Sequence, residues 1–223
     1  LNAHKTKFNR LGFGTSVTRS NLSKANEQRE AKIFKDMAYH MVKTARDLRI
    51  GLVDKDFFYE GNVYAFDSTT ISLCLNVFWW SKLHHDKGGV KMHTLLDLRG
   101  TIPTFIYLTE AAVHDSKAMS LVPVEPGNYY LMDKGYVDFK QLFLHFHRQR
   151  AFFVTRAKDN MKYEVVEEHP VDKSTGVVSD STIRLTGLKT SRWYPDTLRM
   201  VVYEDYATGN VYRFLTNDFT HSY

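Results

Sequence analysis

Cysteine is nearly absent from this sequence of 223 residues, which contains only one, Cys74. A single cysteine can form neither an internal disulfide nor a CxxC zinc motif, so the sequence predicts a reducing compartment, with Cys74 as a small buried hydrophobe. Long apolar runs are absent as well. No window approaches about 18 consecutive apolar residues, and the N-terminus lacks the apolar stretch of a signal peptide. We therefore expect a soluble, cytoplasmic protein that makes no use of a membrane.

Proline is also scarce, with five residues, whereas 43% of the residues are apolar and 14% aromatic. This composition is typical of a folded domain with a sizeable core. The formal charge of +5 favours an acidic partner, nucleic acid above all. The chain begins at Leu1 rather than at methionine, which we interpret as a sign that it is a piece of a longer protein.

Residues 1–50 are interpreted as a lead-in and a helix that precede the main domain. The first part is polar and basic without a clear period. From about residue 20 to residue 48, apolar residues recur at three- and four-residue steps, which predicts one long amphipathic helix. Its apolar stripe is expected to pack on a core, although contact with DNA is the alternative, and Arg19 near its start is a candidate phosphate contact.

Residues 51–159 combine β-rich and helical patterns. Three β-rich runs come first, and Arg99-Gly100 joins the last two as a hairpin. A short helix capped by Asp115 or Ser116, a strand, a second helix and a strand follow. This order predicts an α/β fold, the ribonuclease H-like mixed sheet with flanking helices. In residues 160–223 helical periodicity disappears, and short runs between turn signals predict a β-rich insertion subdomain.

Two aspartates stand at matching places in this predicted sheet. Asp67 follows the apolar run "VYAF" and Asp133 follows "YYLM", so each lies at the end of a strand. If these strands are neighbours, the two carboxylates project side by side and repel unless a cation or a shared proton neutralises them. Mg²⁺ or Mn²⁺ suits carboxylate oxygens, and a pair of such ions supports phosphodiester chemistry. Each aspartate alone is explained better as a turn cap, whereas the pair favours a metal site.

Several blocks of the sequence resemble the DDE transposases of bacterial insertion sequences, in the branch with a β-rich insertion. The blocks are "AFDSTTISL", "GGVKMHTLLDLRGTIP", "AAVHDSKAM" and "YYLMDKGYVDFKQL". They stand in the order of that family, and the likeness covers nearly the whole chain. The resemblance implies a ribonuclease H-like core, Mg²⁺ or Mn²⁺ in a two-metal site of the complete enzyme, and cutting and joining of DNA. The implied partners are terminal inverted repeats and target DNA, with a homodimer on DNA in the bacterial nucleoid.

The resemblance implies that Asp67 and Asp133 are the first two catalytic carboxylates and that both bind metal. The third is a glutamate within a Tyr-x2-Arg-x3-Glu-x6-Lys signature on a helix after the insertion, and this sequence has no match to it. Glu204 and Asp205 lie in a strand-like run, and Asp218 lies in an expected turn. We therefore expect the third carboxylate beyond residue 223 and expect these residues to be inactive alone.

Four further residues are candidate DNA contacts. Lys134 follows Asp133, and Lys91 lies on a strand expected beside that of Asp67; a surface or packing role explains either lysine equally well. Arg192 and Trp193 lie in the β-rich insertion, which approaches the transposon end in related transposases. Trp193 could stack on an unpaired base there, and the alternative is a core position in the insertion.

Two other functions are weighed against this one. An aspartyl-phosphate phosphatase also has a strand that ends in aspartate, but it needs a second acid two residues on, where this chain has Thr69. A non-catalytic DNA-binding or oligomerisation module from a decayed transposase remains the alternative, and the presence of both Asp67 and Asp133 argues mildly against it.

Overall fold

A computed structural model describes residues 18–49, 61–73, 82–84 and 87–221 of the chain. The chain divides into two compact units, one ending at Leu48 and the other beginning at Arg49. The predictions for Cys74 and for the lead-in before residue 18 lie outside the described residues. No helix in the described ranges is long and apolar enough to cross a membrane.

The first unit contains two helices, α1 (Arg19–Gln28) and α2 (Ala31–Arg49). Thr18 caps α1 by accepting a hydrogen bond from the backbone N–H of Asn21 at 3.1 Å, and Arg29 ends it in an extended conformation. The prediction of one continuous helix is therefore wrong. The apolar stripe of α2 is also exposed rather than packed on a core: its members include Ile33, Phe34, Met37 and Met41, each more than half exposed.

The second unit is built on a mixed sheet, in which the described residues form ten strands. The strands are β1 (Val63–Leu73), β2 (Lys82–His84), β3 (Lys87–Asp97), β4 (Ile102–Glu110), β5 (Tyr129–Met132), β6 (Phe152–Arg156), β7 (Tyr163–His169), β8 (Val177–Leu185), β9 (Leu198–Asp205) and β10 (Asn210–Thr216). Their order is β2-β3-β1-β5-β6-β10-β9-β8-β7, and β4 also pairs with β3.

The first part of this sheet has the ribonuclease H-like topology. The strands β4, β3 and β1 are antiparallel neighbours, and β3 and β4 are joined by the predicted hairpin at residues 98–101. Next to β1 lie β5 and β6, both parallel to it. Three antiparallel strands followed by two parallel ones give the predicted α/β fold, which is thus confirmed.

The helical segments between the strands are short. Two 3₁₀ turns, Asp115–Lys117 and Met119–Leu121, replace the helix predicted after β4. The cap of the first turn is His114, whose ring nitrogen accepts the N–H of Ser116, rather than Asp115 or Ser116. The other segments are the 3₁₀ turns Lys134–Tyr136 and Lys173–Thr175, α3 (Phe139–Gln141) with its π and 3₁₀ continuations Leu142–Phe146 and His147–Gln149, and α4 (Thr190–Trp193).

The core lies between the sheet and the helical segment that begins at α3. Side chains alternate along a strand, so Tyr64 and Phe66 of β1 face this core while Ala65 and Asp67 face the other way. Tyr130 stacks on Tyr64 at 5.4 Å between ring centroids and meets Phe146 edge-on at 5.3 Å. The core therefore holds β1 against β5, the two strands that carry the predicted catalytic aspartates.

The β-rich segment after β6 continues the same sheet. β10 pairs antiparallel with β6, so that Phe214 lies opposite Arg156, and β9, β8 and β7 follow outward. A buried ion pair joins two of these strands: Asp180 of β8 accepts hydrogen bonds from Arg199 of β9 at 2.9 and 2.6 Å. This continuity fixes the position of the outer strands relative to the end of β6.

Candidate active site

Three charged residues form one row across the parallel strands. Asp133 follows β5 and Arg156 ends β6, but Asp67 lies within β1, which stays paired with β3 as far as Leu73, so the prediction that Asp67 ends a strand is wrong. Phe66 of β1 is the register partner of Met132 in β5, and Met132 is the partner of Thr155 in β6. Asp67, Asp133 and Arg156 each come directly after one of these partners. Neighbouring strands lie about 4.8 Å apart, so the three side chains leave the sheet close together. The predicted meeting of Asp67 and Asp133 agrees with this register.

The carboxylate of Asp133 is held by Arg156. Oδ1 of Asp133 accepts hydrogen bonds from Nε of Arg156 at 2.9 Å and from Nη2 at 2.6 Å. Burial pushes the pKa of Asp133 up, but the hydrogen bonds from Arg156 and from the backbone of Lys134 and Gly135 outweigh it, so the pKa lies below its usual value. Asp133 is therefore ionised at neutral pH and carries an internal counter-ion.

Asp67 and Asp133 line one open cavity of about 330 Å³ together with Arg156. Its floor is formed by apolar residues of four strands, among them Ala65, Leu131, Val154 and Phe214. Asp67 Oδ1 accepts the backbone N–H of Ser68 at 2.8 Å, which fixes the side chain at the strand surface. Both carboxylates thus open onto the same space.

This donor set fits a divalent metal such as Mg²⁺. Mg²⁺ keeps several waters and takes one or two protein carboxylates together with phosphate oxygens, and Asp67 and Asp133 offer two. Among the described residues, no group of three or more histidine, cysteine or acidic side chains is close enough to hold a metal ion. The two aspartates therefore share the cavity without a third such residue from the described part of the chain.

A second polar cluster lies on the opposite face of β1. Ser68, which follows Asp67 and so points the other way, approaches Asp115 at 3.3 Å. Nζ of Lys91 donates to the same Asp115 oxygen and to the carbonyl of Val113, each at 3.0 Å. Lys91 is only 17% exposed at its side chain, so its ammonium ties the segment after β4 to β1 and β3. The predicted contact of Lys91 with DNA stays a prediction.

His93 is fully buried beside this cluster. It lies opposite Ser68, and its ring nitrogens lie 3.0 Å from Oγ1 of Thr109 and 3.4 Å from the hydroxyl of Tyr136. Burial lowers the pKa of His93, so the ring is neutral at neutral pH. Burial likewise raises the pKa of Tyr136 to about 12. These two neutral groups lie in the core, His93 opposite Ser68 and Tyr136 in the turn that follows Asp133.

Lys134 lies at the surface, next to Asp133. Its Nζ is 3.6 Å from Oδ2 of Asp159, and Arg213 binds the other oxygen of that carboxylate at 2.9 Å. Asp159 is 81% exposed at its side chain, so these pairs are weak and both cations can exchange to another anion. This exposure is compatible with the predicted phosphate contact of Lys134.

Trp193 lies in α4, between β8 and β9, and its side chain is 43% exposed. It lines an open cavity of about 470 Å³ whose other walls include Val137, Lys158, Lys162 and Leu188. Nζ of Lys158 donates to the carbonyl of Val137 at 2.8 Å, which places this cavity just past the ends of β5 and β6. The alternative of a buried core position does not hold for Trp193, while its stacking on DNA stays a prediction.

The remaining candidates lie apart from the acidic row. Arg192 is exposed beside Trp193, and Arg19 is exposed on α1 in the first unit. Glu204 and Asp205 lie on β9, as expected for a strand. Asp218 accepts a hydrogen bond from the hydroxyl of Tyr129, which begins β5, at 2.9 Å and so lies at the opposite end of that strand from Asp133.

Sequence reasoning missed Arg156 and the role of Asp115. The signal for Arg156 was present: "FFVTR" ends in a charged residue, as "VYAFD" and "YYLMD" do, and in all three runs the charged residue follows apolar residues of a strand. Asp115 gave no comparable signal, because its contacts with Ser68 and Lys91 join residues 47 and 24 positions apart.

The strand order and the paired carboxylates define this unit as a ribonuclease H-like domain with two aspartates of its central strands over one cavity. A family model described as the transposase DDE domain matches residues 59–216, which is more than half of the chain. The chain belongs to the transposase DDE domain family. The predicted membership among the DDE transposases of insertion sequences is thus confirmed.

Relatives in other organisms agree with this assignment. A Sinorhizobium fredii protein named as a transposase, y4zB, is 30% identical over 203 residues, which are 88% of this chain and 54% of that protein. A Synechocystis protein named as a transposase for insertion sequence element IS4SA is 25% identical over 166 residues, 72% of this chain and 46% of that protein. The chain therefore spans about half the length of these curated relatives.

Among the solved structures, one of the similar chains is a transposase bound to DNA. The cryo-EM structure of a piggyBac transposase synaptic complex with hairpin DNA aligns with 73% of this chain and 34% of its own, at 12% identity and a TM-score of 0.42.

Proposed function

We propose that this domain is the catalytic core of an insertion-sequence transposase that cleaves and joins DNA with the help of divalent metal held by Asp67 and Asp133. The observation that carries the proposal is the register of β1 and β5, which brings the two aspartates to adjacent positions over one cavity. Membership of the transposase DDE domain family supports it. Bound Mg²⁺ or Mn²⁺ would supply stabilisation of the charge that develops on the phosphoryl oxygens.

Each charged residue around the cavity has a proposed role. Asp67 and Asp133 would hold and orient the cation over the cavity, while His93 and Tyr136 lie 3.4 Å apart on the buried face of the sheet. Arg156 and Lys134 place positive charge beside the cavity and would bind the DNA backbone. A third carboxylate, from outside residues 1–223, would complete the site.

The DNA is proposed to run from this cavity towards α4. Lys158 and Lys162 line the second cavity together with Trp193, so that cations flank an exposed aromatic ring. Such a pairing suits a nucleic acid strand, because the cations bind phosphates and the ring stacks on a base. Arg192, Lys91 and Arg19 remain further candidate contacts, and a homodimer on terminal inverted repeats remains part of the proposal.

Metal binding by the chain tests the proposal most directly. Mn²⁺ binding is measured by the loss of the electron paramagnetic resonance signal of free Mn²⁺, for the wild type and for the variants Asp67→Asn and Asp133→Asn. Glu204→Gln is a matched control, because Glu204 lies on β9 and does not line the acidic cavity. We expect weak binding that each aspartate variant lowers at least about tenfold and the control leaves unchanged. Unchanged binding in both aspartate variants would refute the metal site.

Activity is tested in the complete parent protein on DNA that carries the ends of its own element. We expect Mg²⁺-dependent cleavage that is lost in Asp67→Asn and Asp133→Asn, because these changes leave the size of each side chain and remove its charge. Residues 1–223 alone are expected to give little or no cleavage. Efficient cleavage by residues 1–223 would contradict the expectation of a further carboxylate.

A further inference from the structure

We infer that Arg156 is an internal counter-ion that must leave Asp133 when metal binds, and that it then binds a DNA phosphate, so that metal and DNA bind this site cooperatively. The inference rests on the proposed metal site and adds a residue that couples its two ligands.

The contact itself is the first argument. Both N–H groups that Arg156 directs at Asp133, on Nε and Nη2, reach the same oxygen, Oδ1, at 2.9 and 2.6 Å. A metal ion on either oxygen of Asp133 brings a second positive charge close to the guanidinium, and two cations on one carboxylate repel each other. Arg156 and the cation therefore compete for Asp133.

The position of Arg156 in the row gives the second argument. Asp67 and Asp133 follow register partners on neighbouring strands, and their like charges repel. Arg156 is next in the row and neutralises the charge of Asp133. In the metal-free protein it therefore takes the place of the cation that would neutralise Asp133 in the metal-bound protein. Arg156 can thus offset the repulsion between two adjacent carboxylates before metal arrives.

Exposure makes the exchange inexpensive. The side chains of Arg156 and Asp133 are 47% and 46% exposed, and pairs exposed to this degree contribute at most about 1 kcal/mol. Arg156 lies at the end of β6 on the rim of the cavity, with a flexible aliphatic stem that lets the guanidinium turn outward. A guanidinium released from a carboxylate binds a phosphate with the same fork of donors, and a DNA strand over the cavity offers one.

Cooperativity follows by linkage. Metal at Asp133 frees Arg156 for phosphate, and phosphate at Arg156 frees Asp133 for metal, so each ligand raises the affinity of the other by the same factor. If the ion pair contributes roughly 1 kcal/mol, the factor is about fivefold.

The first experiment compares Mn²⁺ binding to the wild-type chain and to Arg156→Ala without DNA. We expect the variant to bind Mn²⁺ about fivefold more tightly, because the competing cation is gone. Arg213→Ala is the matched control: Arg213 lies on β10, next to β6, and pairs with Asp159 instead of Asp133. Equal effects of the two variants would overturn the inference, because general charge would then explain both. Arg156→Lys, which keeps the charge without the fork, should bind Mn²⁺ with intermediate affinity.

The second experiment measures the coupling. The affinity for a short random-sequence DNA duplex is measured by fluorescence anisotropy with and without Mn²⁺, at constant ionic strength. Relative to Arg213→Ala, Arg156→Ala should lose the part of the DNA affinity that depends on Mn²⁺. The same dependence in both variants would overturn the coupling.

Asp133→Asn separates this inference from the proposed function. If Asp133→Asn binds Mn²⁺ as well as the wild type does, the metal site itself is wrong. If Asp133→Asn loses Mn²⁺ binding while Arg156→Ala leaves it unchanged, the metal site stands and the competition by Arg156 is refuted. Circular dichroism checks that each variant is folded, which the exposure of both side chains favours.

Discussion

Gly61 permits the close approach of β1 and β5, and Gly61→Ala is therefore expected to damage both stability and metal binding. A Cβ atom at residue 61 would lie 2.0 Å from the carbonyl oxygen of Gly127 and 2.9 Å from its carbonyl carbon. Both are backbone atoms of the turn before β5 and cannot rotate away. The adjoining backbone is fixed as well, because Asn62 accepts the N–H of Tyr129 and donates to the side chain of Asn128.

The cost of this change is that of an overpacked contact whose neighbours cannot relax, about 3 kcal/mol in the free energy of unfolding. Gly127→Ala is the matched control. A Cβ atom at Gly127 would have no heavy atom within 4 Å, but its φ of +77° is unfavourable for alanine, which costs about 1 kcal/mol. The two variants thus separate a steric cost from a conformational one within one turn.

Urea unfolding followed by circular dichroism gives both values, and Mn²⁺ titration gives the effect on the site. We expect Gly61→Ala to weaken Mn²⁺ binding, because β1 shifts against β5 and separates Asp67 from Asp133, whereas Gly127→Ala leaves that register unchanged. Equal destabilisation by the two variants, with metal binding unchanged in both, would refute the reasoning.

Three further changes give separate tests. Asp180→Ala removes the carboxylate that pairs with buried Arg199 and should lower the free energy of unfolding, measured in urea, by about 3 kcal/mol or more. Lys32→Ala is the control, because it breaks an exposed ion pair with Asp36 and should have no measurable effect. Burial raises the pKa of Asp218, but hydrogen bonds from Thr220, Tyr129 and His221 outweigh it and hold the pKa below 3.8. The stabilisation by Asp218 is therefore present above pH 3.8 and is lost as the pH falls through the folded-state pKa. Asp218→Asn should make the melting temperature depend less on pH in this acidic range. Trp193→Ala should change stability little and weaken binding of a single-stranded oligonucleotide by about tenfold in anisotropy titrations, and undiminished binding would speak against stacking.

The strands could be predicted because their signals are local. Buried strands such as "NYYLM" and "AFFVT" are continuous apolar runs bounded by turn residues, and their order along the chain limits the possible topologies. The helices were harder. Apolar spacing predicted one helix over residues 20–48, but the apolar stripe begins at Ile33, after the break at Arg29, where the backbone is extended. Periodicity also predicted a packed face on α2, although spacing shows only that a face is apolar and leaves open what covers it.

The two aspartates of the candidate site could be predicted from the sequence, whereas most contacts around them could not. Asp67 and Asp133 each end an apolar run, which is visible in the sequence. Lys91 was a candidate DNA contact because its strand lies beside that of Asp67, with packing as an equal alternative, and the structure shows its ammonium bound to Asp115 and to the carbonyl of Val113. Such contacts depend on where a loop returns to the sheet, and no short stretch of sequence records that.

Register brings three charged residues from separate strands into one site. Asp67, Asp133 and Arg156 each follow a residue of a matched pair in β1, β5 and β6, so a slip of one residue in any strand would turn its charged side chain to the other face. Buried aromatic side chains oppose such a slip, because Phe66 and Phe153 would then leave the core. The same alternation that buries these rings therefore places Asp67, Asp133 and Arg156 on the other face of the sheet, around one cavity. Packing of the rings thus keeps a cation beside two carboxylates.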